Sequence, residues 1–212
     1  MVERKMALCG MLAFIGFILS FLVFAYITPG YSHTENAISE LGMSGAPYAF
    51  AWNLIGFGLV GLLVIPFSWS LLVGLRSTSG ARIISLLVAI SGIGWMSLGV
   101  FPAASGFQAS IPTTLHFIAV TVNYLSFLMA AFLFAIKLRD EQYWKSWVPF
   151  SLVIGVLGLA SFFIPKAIPA ALSQRLGLVV YFLWLFGMGW AVLRKLSPIA
   201  LPPTSLGSSQ SG

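Results

Sequence analysis

The 212-residue chain is 59% hydrophobic and 8% charged, with a mean hydropathy of +0.98. A soluble domain carries roughly a quarter charged residues, so a water-soluble fold is excluded. The net charge of +6 is confined to loops and helix ends, the pattern of a membrane topology and not of a nucleic-acid surface.

Runs of about 18 or more apolar residues read as membrane helices, and the chain has six of them. The first covers about 6–28 and contains the single Cys9. One cysteine rules out a disulfide framework and a CxxC metal site. The apolar core of this run exceeds the ~7–15 residues of a signal peptide, so it is expected to remain as a span. Residues 28–49, TPGYSHTENAISELGMSGAPYA, form the first connection and gather scarce polar groups. Pro29-Gly30 breaks the span, Ser32 or Thr34 offers an N-cap, and Gly42 offers a C-cap. A helix of about two turns is predicted there, with Glu35 closing a capping box on Ser32. His33, Asn36 and Glu40 would share its polar face, with Thr34, Ile38 and Leu41 on the oily side.

The second span is predicted at about 50–74, the third at 83–102, the fourth at 114–136, the fifth at 147–165 and the sixth at 176–193. Runs such as LVGLLVIPF do not alternate apolar and polar, which excludes a transmembrane β-barrel. The fold class is therefore all-α, a six-helix membrane bundle over residues 1–196. Residues 197–212, rich in Pro, Ser and Gly, read as a disordered tail. Arg4, Lys5, Arg76, Arg82, Lys137, Arg139, Lys145, Arg194 and Lys195 all fall on one side of this topology, and Lys166 and Arg175 on the other. By the positive-inside rule both termini face the cytoplasm. Tyr31, Tyr48, Trp52, Tyr143, Trp144 and Trp147 fall near predicted interfaces, where they are expected to anchor the bundle. Glycines at 56, 58, 61, 92, 94, 99, 155 and 158 are expected to let helices approach closely.

Polar side chains at membrane depth are expensive unless they pair or line water, so their default reading is functional. The connections opposite the basic side hold both histidines, and the candidate ligand-binding set is His33, Asn36, Glu40, Asn53, His116 and Arg175. Asn123 lies about two turns below His116 on the same helical face. Catalytic candidates are His116 as general base, Glu40 as orienter and Ser39 as nucleophile. No HExxH or His-x-His spacing accompanies the histidines, so no metal is expected. No cofactor is expected either.

The order N-A-I-S-E-L-G (36–42), G-A-P (45–47), Asn53, F-P (101–102) and L-H (115–116) resembles the domain-of-unknown-function-998 family. That resemblance implies a small six-span membrane fold with a polar cluster on the extracytoplasmic side, and no reaction. More distantly, the first-loop Ile-Ser-acid-Leu-Gly and a fourth-span histidine are similar to features of six-span eukaryotic proteins of lipid-anchor remodelling and autophagy. This favours lipid as the ligand.

The expectation is thus a multi-pass protein of the cell membrane, a binding protein in preference to an enzyme. Its pocket would take a lipid headgroup, with phosphate held by Arg175 and Lys166, or a partner protein. The alternatives are a membrane-embedded lipid hydrolase or transferase, and an accessory subunit in an oligomer or membrane complex joined through its Gly-rich faces.

Overall fold

The computed structural model describes residues 2–163 and 169–197. Lys166 and the tail from 198 onward therefore lie outside the described residues. Among the described residues six helices are long and apolar enough to span a membrane: α1 Val2–Ile27, α2 Ala49–Leu75, α3 Ala81–Val100, α4 Ile111–Lys137, α5 Trp144–Ser161 and α6 Ala170–Lys195. Each packs against its neighbour in sequence, and α6 closes the ring on α1 and α2. Exposed Leu12, Leu19, Leu86 and Ile136 put an apolar surface on the outside, as hydrocarbon requires.

The helices start and stop for local reasons. Ser110 caps α4 by accepting from the Thr113 N–H at 3.2 Å, with Pro112 in the first turn, where its missing N–H costs nothing. Lys137 sits in the last turn of α4, favourably placed against the helix dipole. Within α2, Asn53–Leu59 is π-helical. Such a widened turn leaves backbone groups without their usual partners, and the Gly56 carbonyl accepts instead from Trp95 Nε1 of α3 at 2.9 Å.

An aromatic column fills the centre. Phe17 of α1 stacks on Phe182 of α6 at 4.2 Å between centroids, and Trp95 meets Phe182 edge-on at 5.0 Å. Phe127 of α4 closes the column against Tyr181 at 5.2 Å. Two of the expected interfacial anchors have joined the interior, for Trp52 and Trp144 are fully buried. Trp52 lies over Gly56 one turn below, where a Cβ would come within 2.7 Å of its ring. Glycine there opens the slot that draws the indole inward. Trp144 packs edge-on against Phe134 at 5.7 Å and under the Lys195 ammonium at 4.8 Å.

The predicted two-turn helix after Pro29-Gly30 does not form. Residues 33–35 make a turn, and a short 3-10 helix covers Ile38–Gly42. The reason is that Glu40, not Glu35, acts at the N-terminus. Its Oε1 accepts from the Ala37 N–H at 2.7 Å, which starts the helix after Ala37. The loop folds over the end of the bundle, where Ser44 N–H donates to the Ala103 carbonyl at 3.0 Å.

Candidate functional site: a rim network above an apolar cavity

Two structures occupy the first-loop end of the bundle, and they divide the predicted polar residues between them. The upper one is a hydrogen-bonded rim. Asn36 bridges the loop: its Oδ1 accepts from Ser32 N–H, and its Nδ2 donates to Glu40 Oε2 at 2.8 Å. Arg175, one turn into α6, donates from Nη2 to the Asn36 carbonyl at 2.9 Å and to Tyr31 Oη at 2.8 Å. Its Nη1 donates to the Ala171 carbonyl at 2.7 Å. The guanidinium also lies 5.5 Å from the Phe21 ring centre, within cation–π range. Burial pushes the Tyr31 phenol up to about 12, against the opposing pull of Arg175. Tyr31 therefore stays protonated at neutral pH and donates to the Ala37 carbonyl at 3.3 Å.

Arg175 and Glu40 thus serve the loop backbone and its Asn36, and no ion pair joins them among the described residues. Asn53 does a similar job, donating from Nδ2 to the Gly42 carbonyl at 2.9 Å. Its Oδ1 lies so close to Gly42 that any Cβ there would strike it. His33 is exposed, its ring edge-on to Phe21 at 5.4 Å and Tyr31 at 5.7 Å.

The lower structure is a cavity of about 240 Å³ beneath the loop, walled by α3, α4, α5 and α6 with Phe57 of α2. Its lining is mostly apolar, which is how ligand pockets are built: a few placed polar groups in an oily wall. Ser39 from the loop and His116 and Asn123 from α4 all belong to this wall. Val120 and Phe162, also in the lining, are exposed on the outer surface of the bundle. The cavity therefore reaches toward the hydrocarbon-facing side between α4 and α5.

His116 is 2% exposed, and its Nδ1 lies 2.9 Å from the Phe101 carbonyl. A carbonyl only accepts, so Nδ1 carries the proton and Nε2 of the neutral ring is the acceptor. Among the described residues Nε2 is buried without a hydrogen-bond partner, although the Leu98 carbonyl also lies beside the ring. Ser39 is buried too, and its hydroxyl has no partner among the described residues. The Glu40 carboxylate is turned away on Asn36 and Ala37, so the orienting group on His116 is a backbone carbonyl.

Sequence reasoning missed several lining residues. Gln174 accepts from Ile38 N–H through Oε1 at 2.8 Å, which pins the 3-10 helix to α6. Tyr124 Oη donates to the Gly158 carbonyl at 3.1 Å and meets Ser161 Oγ at 2.9 Å. Ser173 Oγ donates to the Ser161 carbonyl at 2.6 Å, so α4, α5 and α6 are tied together beside the cavity. The signal for Gln174 was its place beside Arg175 at the start of a span. Tyr124 and the serines give no such signal, because these types are common in helix contacts.

A family model described as "Protein of unknown function (DUF998)" matches residues 11–191. No curated protein and no solved structure matches the chain.

Proposed function

The chain belongs to the DUF998 family, and on that premise we propose that this integral membrane protein binds a membrane amphiphile in the cavity beneath its first loop. The apolar wall accepts hydrocarbon, and the loop end supplies the polar contacts. The observation that carries this reading is the cavity itself, a concave apolar space whose rim residues Val120 and Phe162 face the lipid side. A space of about 240 Å³ lies just under the range of small-molecule pockets, which suits part of a chain and a small head.

Filling the cavity tests the reading. Val120→Trp is expected to remove the lipid that co-purifies in mild detergent, as measured by mass spectrometry of the intact complex. Retention of the same lipid at the same stoichiometry would overturn it.

Ser39 and His116 in one wall also suit a hydrolase, with His116 as general base. His116→Gln separates the two readings. Gln can keep a donor toward Phe101 and an acceptor toward a ligand, so a binding site keeps its lipid, whereas a general base cannot be replaced in this way. Turnover of a lipid ester by the wild type, abolished in His116→Gln, would favour the enzyme.

The protein sits in the cell membrane with its basic end in the cytoplasm and the first loop outside. In a Cys9→Ala background, Glu35→Cys is expected to react with an impermeant maleimide on intact cells. Gln142→Cys, in the basic connection, is expected to react only after lysis. The reverse pattern would invert the topology.

A further inference from the structure

The polar groups facing the cavity carry information about the head they would meet. Among the described residues the lining holds Ser39, His116, Asn123, Tyr124, Ser161, Ser173 and Gln174 as its polar side chains, and no charged one. Most of these are already committed. Asn123 Nδ2 donates to the Ser91 carbonyl at 2.8 Å, and Tyr124, Ser161 and Ser173 bond one another and nearby carbonyls.

The Asn123 side chain also meets Tyr181, and beside its carboxamide oxygen three groups are left. Gln174 Oε1 is fixed on Ile38 N–H at 2.8 Å, so its amide orientation is set and Nε2 is the spare donor. The Ser39 hydroxyl is free to donate or accept. His116 Nε2 is a spare acceptor, because Nδ1 holds the ring proton. An anionic head would find one amide and one hydroxyl as donors, and would face the imidazole lone pair. A cationic head would find no carboxylate, since both Glu40 oxygens are engaged in the loop. Arg175 lies outside the cavity lining, with Nη1 and Nη2 held by carbonyls and Tyr31 and Nε buried without a partner among the described residues.

Resting on the amphiphile-binding reading, we infer that the bound head is uncharged and bears a hydroxyl. The site takes a lipid alcohol and discriminates against phosphate and amine heads. The ligand oxygen accepts from Gln174 Nε2, and its O–H donates to Ser39 Oγ or His116 Nε2. This departs from the sequence expectation of a phosphate held by Arg175. Specificity here follows from the usual asymmetry: a buried group left without its partner costs more than a made bond returns.

The test uses the full chain in mild detergent, with affinity read from the shift in its unfolding temperature. Oleyl alcohol, oleyl phosphate and oleylamine share one chain and differ in charge. Oleyl alcohol is expected to bind at least about tenfold tighter than either charged analogue, the size of one unpaired buried group. Ser39→Ala removes a hydroxyl with no bond to another described residue. It is expected to leave the ligand-free unfolding temperature unchanged and to weaken the alcohol about tenfold. Farnesol and dioctanoylglycerol then tell an isoprenoid from a glyceride source. Equal or tighter binding of oleyl phosphate or oleylamine would overturn the inference while leaving the amphiphile reading intact. Failure of all five probes, with Val120→Trp also keeping its lipid, would sink both.

Discussion

Gly61→Ala is expected to destabilise the bundle by about 3 kcal/mol, at the upper end of ordinary overpacking. A Cβ at Gly61 would lie 2.8 Å from the Met96 backbone N and 2.9 Å from the Gly92 carbonyl, as well as 2.6 Å from Met96 Cγ. The side-chain contact could relax by a rotamer change. The two backbone contacts cannot, so α2 and α3 must move apart. Gly92 faces the same seam from the other side, where a Cβ would come within 2.8 Å of Val64. Separation would also pull the Trp95 indole from the Gly56 carbonyl, so the damage would reach the wall of the cavity. Gly16→Ala is the control, because its nearest neighbour would be Val60 at an ordinary 3.8 Å. Denaturant titration in detergent measures both. Equal stability of the two variants would refute close backbone packing along this seam.

Arg175→Leu is expected to release the first loop at a cost of about 3 kcal/mol, since hydrogen bonds from a charged donor contribute ~1.5–3 kcal/mol each and the exposed part is screened. The guanidinium joins the Asn36 carbonyl, Tyr31 and its own helix at Ala171 in one planar group. Its loss would leave the Asn36 carbonyl without its α6 donor. Arg175→Lys should recover less than half of the effect, because an ammonium on a flexible stem cannot reproduce the fork. Amide exchange in residues 31–42 is the readout, with the α2–α3 seam as internal reference. Wild-type protection of the loop in Arg175→Lys would mean that charge alone holds it.

Both predictions concern contacts that the local sequence only half announces. The glycines of α2 and α3 could be read as close-packing residues from composition and spacing. Which glycine faces which backbone depends on the rotation of each helix about its axis, and no local pattern sets that. Arg175 was legible as an expensive charge near a membrane span. Its partners were not, since two of them are backbone carbonyls, and every residue has one.

The candidate site shows the same division. His116 and Asn123 were placed on one helical face by a seven-residue spacing, and both do line the cavity. His33 and Asn36 were assigned to a shared helical face, but no such helix exists, because Glu40 bonds Ala37 and starts a shorter one. Trp52 and Trp144 carried the signature of interfacial anchors, yet a slot over Gly56 and a cation above the ring took them into the interior.

Six spans, the absence of strands among the described residues, short connections and a basic end all follow from the sequence alone. Hydrocarbon acts on each segment independently: it rejects unpaired backbone and charge wherever they occur, so length and composition suffice. The cavity, the uncommitted polar groups in it and the rim held by Arg175 were decided by the tertiary fold. Hydrogen bonds are short and directional, and whether a side chain is spent or spare depends on which distant carbonyl packing brings within 3 Å of it.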